Sequence, residues 1–132
     1  MTVGVAVKVF DGIVLATDSA TTVDLGPAGH QVYNSANKIF HLHREHPIAA
    51  MTWGLGNVGS ASIATLAKDL RRRLMGEDDD HADWALEAGF TVQEVAGRLV
   101  EHVFDELYAP QFSGVSPAPL LGFLVAGYSG RE

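Results

Sequence analysis

Cysteine is absent from this 132-residue chain. That excludes disulfide scaffolds, thiolate zinc sites, iron–sulfur clusters and cysteine nucleophiles. Basic residues are scarce: nine Lys and Arg stand against sixteen Asp and Glu, for a formal charge of -7. Neutralising phosphates needs a clustered basic surface, so nucleic acid is not the expected partner. Long apolar runs are missing too. The N-terminus reads MTVGVAVKVFDG, broken by Lys8 and Asp11 and without a basic lead. It fits neither a signal peptide nor a membrane span, and the expectation is a soluble, cytoplasmic protein. Apolar residues at 47% and charged residues at 19% are ordinary globular usage. The length suits one domain over residues 1–132.

What is present reads as strands, then helices, then a strand. Residues 2–9 and 12–18 are short and β-branched around Asp11-Gly12, a hairpin signal. Gly26, Pro27, Gly29 and Asn34 mark 23–36 as a loop. Strands are expected over 38–43 and 48–53, with a tight turn near Glu45-His46-Pro47. Ile63, Leu66, Ala67, Leu70 and Leu74 then fall at helical spacing, and Gly76 ends that helix. The acidic stretch 77–90 reads as a solvated loop. Thr91-Val-Gln-Glu94 is a capping box opening a second helix with Val95, Leu99 and Val103 in its stripe, which should stop before Pro110. Leu120–Ala126 is a final apolar run of strand length. This order predicts an α+β layered fold, with helices covering one face of a mainly antiparallel sheet.

Three residues could share chemistry. Thr2 follows the initiator Met and is small enough to permit removal of that Met. The mature chain would then carry a hydroxyl nucleophile and a free α-amine on one residue, and an α-amine with a pKa near 8 can serve as base. Asp18 lies sixteen residues on, where the hairpin returns beside its own start. Lys38 opens the third strand and could meet both. An ammonium beside the hydroxyl lowers its pKa, and a carboxylate orients the ammonium.

The pattern Thr2-Val-Gly-Val, Asp-Gly-Ile-Val-Leu-Ala-Thr-Asp18, Asn-Lys38-Ile-Phe and Ala-Ala-Met-Thr-Trp-Gly54 resembles the proteasome β-subunits and their bacterial relatives, N-terminal-nucleophile threonine peptidases. Leu121-Gly-Phe-Leu-Val-Ala-Gly-Tyr resembles that family's central strand. The resemblance implies a four-layer αββα sandwich, of which these residues are the N-terminal half or slightly more. The supporting serine and aspartate of the family's second half have no counterpart here, and Ser129 comes too early to match that serine. It places the nucleophile on Thr2, the acid on Asp18, the lysine on Lys38, the oxyanion glycine on Gly54 and a substrate-lining pair on Thr21 and Thr22. It further implies hydrolysis of polypeptides without cofactor or metal, a homo-oligomeric ring, and an ATP-dependent unfoldase as partner. A non-catalytic structural subunit of the same fold, with Met1 retained, is the alternative.

Other motifs carry other readings. Gly54-Leu-Gly56-Asn-Val-Gly59 has the dinucleotide-fingerprint spacing between a strand and a helix. A dinucleotide fold then needs a second parallel strand, and the polar stretch after the helix offers none. His41 and His43, two apart, could share a strand face and hold a metal, but no third ligand is fixed. Arg71–Arg73 read as surface, and Trp53 and Trp84 as core or interface.

Overall fold

The computed structural model describes residues 1–33 and 36–130. Strands β1 (Gly4–Val9) and β2 (Gly12–Thr17) form an antiparallel hairpin, with Gly4 opposite Thr17 and Val9 opposite Gly12. The connecting residues are therefore Phe10 and Asp11, one position earlier than the sequence suggests. No described residue other than glycine has a positive φ, so this is not the type I′ turn that Asp-Gly favours. Gly12 instead begins the strand. The expected loop over 23–36 is largely a second hairpin, β3 (Thr21–Asp24) with β4 (His30–Tyr33), around a 3-10 turn at Gly26–Ala28. Its β-branched flanks extend, and the Gly-Pro-Ala-Gly segment supplies only the turn. Asn34 lies outside the described residues.

β5 (Ile39–His41) and β6 (Ile48–Gly54) follow, then the two-residue strands β7 (Asn57–Val58) and β8 (Ala61–Ser62), which lead into helix α1 (Ile63–Leu74). Ser62 caps α1, its Oγ accepting from the Thr65 N–H at 3.1 Å. At the other end Gly76, at φ 71, lets its own N–H reach Arg73 O and the Glu77 N–H reach Arg72 O. These two bonds satisfy the last carbonyls.

The stretch after α1 is not simply solvated. A 3-10 turn at Asp79–Trp84 buries Trp84, and Phe90 is buried as well. Arg73, expected at the surface, is nearly covered: it reaches Asp78 at 3.6 Å and Glu106 at 3.4 Å. Its guanidinium carbon stands 4.8 Å from the Trp84 ring centre.

Thr91 caps the second helix as its motif predicts, accepting from the Glu94 N–H at 3.1 Å. That helix runs through α2 (Val92–Leu99), a π-helical stretch Val100–Tyr108, and α3 (Ala109–Phe112). It does not stop before Pro110. The wide π turn sends the Ala109 N–H back five residues to Phe104 O. Pro110 then follows directly on that wide turn, as the second residue of α3.

The last strand, β9 (Leu121–Gly127), pairs antiparallel with β6, giving a three-stranded sheet in the order β5-β6-β9. Alternation divides its faces. Ile48, Ala50 and Leu121 join Leu66, Leu70, Leu74, Val95, Leu99 and Val103 in one core beneath the helices. Fully burying Leu70 and Leu74 contributes about 1.5–3 kcal/mol each. The opposite face, with Met51 and Leu124, looks toward Gly4 and Ala6 of β1. Helices, sheet and hairpin thus stack in that order, and a further helical layer is not seen among the described residues. No described helix is long and apolar enough to cross a membrane.

β9 is half-buried, whereas the outer face of the first hairpin carries a row of uncovered apolar side chains. Val3, Val5, Val7, Val9 and Val14 all point outward there, and Phe10 stands fully exposed at the turn.

Two buried histidines make stability depend on pH. His43 Nδ1 accepts from the Glu45 N–H at 3.1 Å, which requires a free lone pair at that nitrogen. His102 Nε2 donates to Leu66 O at 3.2 Å, while its Nδ1 lies 3.6 Å from Glu106. Burial is the main cause that lowers both pKa values from 6.5. Neighbouring His46 and Arg73 respectively add to it, and Glu45 and Glu106 oppose it. The unfolded chain therefore binds protons first as the pH falls. The contribution is complete above pH 6.5 and is lost on the way down to the folded-state values. Each tenfold by which folding weakens a histidine's hold on its proton is worth about 1.4 kcal/mol. The urea midpoint should be lower at pH 5.5 than at pH 7.5. A midpoint that holds or rises at pH 5.5 contradicts this account.

Candidate active site

The first hairpin fixes where Thr2 lies. Asp18 follows directly on β2, and its backbone N–H donates to Val3 O at 3.1 Å. In return the Val3 N–H donates to Asp18 Oδ1 at 2.9 Å. Thr17 adds a third tie, its hydroxyl donating to Val3 O at 3.0 Å. Val3 is clasped at both backbone groups, and Thr2 is held one residue beyond it, two before the ladder begins at Gly4.

Lys38 enters from the residue before β5. Its Nζ donates to Thr2 Oγ1 at 3.0 Å, to Asp18 Oδ1 and Oδ2 at 3.3 and 3.2 Å, and to Ala20 O. The lysine side chain is buried and the aspartate about one-third exposed. The Val3 N–H is the largest influence holding the Asp18 carboxyl below its ordinary 3.8. Burial opposes it, and the Lys38 ammonium and the Ala20 N–H add to it. Asp18 is therefore a carboxylate at neutral pH, facing an ammonium that also touches a hydroxyl.

Thr2, Thr21, Thr22, Lys38 and Gly54 all line one cleft of about 640 Å³, and Asp18 stands behind Lys38. Gly54 ends β6 at φ 91, and a Cβ there would lie 2.1 Å from Leu120 O. Only glycine fits this close approach. The Thr52 N–H donates to Lys38 O. Strand alternation turns the N–H of Gly54, two residues later, to the same edge, which opens on the cleft.

Sequence reasoning missed several participants. The Ala20 carbonyl and the Thr17 hydroxyl both hold the trio, and neither carries a motif. The signal available for Thr17 was its register, opposite Gly4 in a hairpin that turns at Phe10-Asp11. Gly122 was also missed. The Trp53 indole lies across it, so that a Cβ on Gly122 would meet the ring at 2.2 Å.

The other motifs lie elsewhere or do something else. Gly56 precedes the small β7–β8 hairpin and Gly59 lies in its turn, and all strand pairings among the described residues are antiparallel. The parallel crossover of a dinucleotide site is therefore not seen around Gly54-Gly56-Gly59. His41 is exposed while His43 lies beyond the end of β5 and is buried, so the two do not share an open face. Ser129 is distant from the cleft and accepts from the Val92 N–H at the start of α2. Comparisons with protein-family models, curated proteins and solved structures give no match.

Proposed function

We propose that this chain is a threonine-type peptidase subunit, similar to the proteasome β-subunits, with Thr2 as its N-terminal nucleophile. One observation carries the reading. Lys38 Nζ stands 3.0 Å from Thr2 Oγ1 while the same ammonium is held by Asp18, although the three residues span 36 positions of sequence. Met1 is fully exposed ahead of Thr2, accessible for removal.

The chemistry is acyl transfer. With Met1 removed, the Thr2 α-amine takes the hydroxyl proton as Oγ1 attacks the scissile carbonyl carbon. The Lys38 ammonium stabilises the developing alkoxide, and Asp18 holds it in place. The carbonyl oxygen becomes an oxyanion facing the Gly54 N–H. The C–N bond then breaks, and the amine leaves with the proton carried by the α-amine. An ester on Thr2 remains. Water, deprotonated by the same amine, attacks that ester and releases the acid, restoring Oγ1–H. No cofactor enters this sequence.

The exposed valine face and Phe10 favour self-association, since an apolar patch of this extent marks a contact surface. This supports a homo-oligomer, and within the same reading a ring fed with polypeptide by an ATP-driven unfoldase. Purified protein lacking Met1 should hydrolyse fluorogenic peptides and sediment above 14.1 kDa. Hydrolysis no faster than that of Thr2→Ala protein would overturn the peptidase reading. It would leave a non-catalytic subunit of the same architecture.

A further inference from the structure

We infer that the cleft takes a peptide whose side chain on the acyl side of the reacting bond is uncharged and apolar. This rests on the peptidase reading and adds a substrate class to it. Among the described residues lining the cleft, Lys38 is the only charged side chain. Its ammonium is already engaged by Thr2, Asp18 and Ala20. No carboxylate lines the cleft among those residues to pair with a substrate Lys or Arg, and a charge brought in without a partner bears the desolvation cost.

An acidic side chain fares little better. Helix α1 begins at the wall, and its first turn would otherwise favour an anion. The Ile63 N–H already donates to Gly56 O at 3.0 Å, and the Thr65 N–H to Ser62 Oγ. A carboxylate reaching Lys38 would have to compete with Asp18, disturbing the ammonium that faces Thr2.

Apolar surface is available in the same space. Trp53 and Leu55, both partly exposed, line it with Leu120, which is 71% exposed. An aliphatic or aromatic substrate side chain would remove that surface from water together with its own.

Binding can be read apart from chemistry. Acetyl-Ala-Ala-Leu, -Arg and -Glu amides are titrated into the Thr2→Ala protein by calorimetry. The leucine peptide should bind at least ~10-fold more tightly than either charged one, the effect expected from burying one apolar side chain. Leu120→Glu places a carboxylate at the wall without touching the trio, and should shift the preference toward arginine by about 10-fold. Equal binding of the three peptides, tighter binding of a charged one, or binding of none would overturn the inference.

The wild-type protein is then treated with epoxyketones of the same three sequences. Leucine-selective binding without any adduct on Thr2 would sink the nucleophile and leave the cleft preference standing. Adducts on Thr2 at equal rates from all three would do the reverse.

Discussion

Thr2→Ala should abolish peptide hydrolysis while leaving the protein folded. The substitution removes the attacking oxygen, and no other hydroxyl among the described residues is bonded to the Lys38 ammonium. What survives is whatever binding and the Gly54 N–H supply alone. The expected loss of turnover is on the order of 10⁴-fold or more, as when the nucleophile is taken from a group of residues that act together. Stability should change little, because the Thr2 side chain is only partly buried and the clasp on Val3 uses backbone atoms and Asp18. Thr2→Ser, which keeps hydroxyl and amine, should retain measurable activity. A Thr2→Ala protein that turns over peptide at the wild-type rate would place the nucleophile elsewhere.

Lys38→Ala and Asp18→Asn should each lower turnover by at least ~10²-fold, the low end of what a positioned acid–base group contributes. Lys38→Ala deletes the only cation that touches the Thr2 hydroxyl among the described residues. Asp18→Asn acts less directly. Oδ1 accepts from Val3, and Oδ2 accepts from both Lys38 and the Ala20 N–H. An amide group in place of Oδ2 would present donors to donors, and the ammonium would lose its anchor. Both variants need a circular-dichroism melt beside the kinetics. Near-wild-type rates in folded protein for both would leave Lys38 and Asp18 as ordinary structural residues.

Much of the candidate site was legible because it depends on hairpin register, which short-range sequence signals specify. A two-residue turn at Asp11-Gly12 would set residue 18 opposite residue 5, and the turn one position earlier, at Phe10-Asp11, brings it two residues closer to the N-terminus, beside Val3. Lys38 was legible for a similar reason: it immediately precedes a short strand that pairs with β6. The second hairpin was not, because Gly26, Pro27 and Gly29 lie close together and their turn signal masks the short strands on either side. The helix beyond Pro110 was hidden by a rule that holds for α-helical hydrogen bonding and lapses after a π turn. Arg73 was misread because its burial comes from tertiary partners such as Glu106, 33 positions away in sequence, whereas Trp84, read as core or interface, is in the core. The fold-level expectation was legible only coarsely. Helices on one face of an antiparallel sheet are observed, with small sheets, and the four-layer sandwich remains part of the proposal.

The central claim is that Thr2, freed of Met1, is the nucleophile. The most direct test is to treat the purified protein with a peptide epoxyketone, which requires both a hydroxyl and an α-amine, and to map the adduct by mass spectrometry. The account predicts one adduct per chain, carried on an N-terminal peptide that begins at Thr2. A chain that retains Met1 and takes up no label, or an adduct mapped to any other residue, would contradict it.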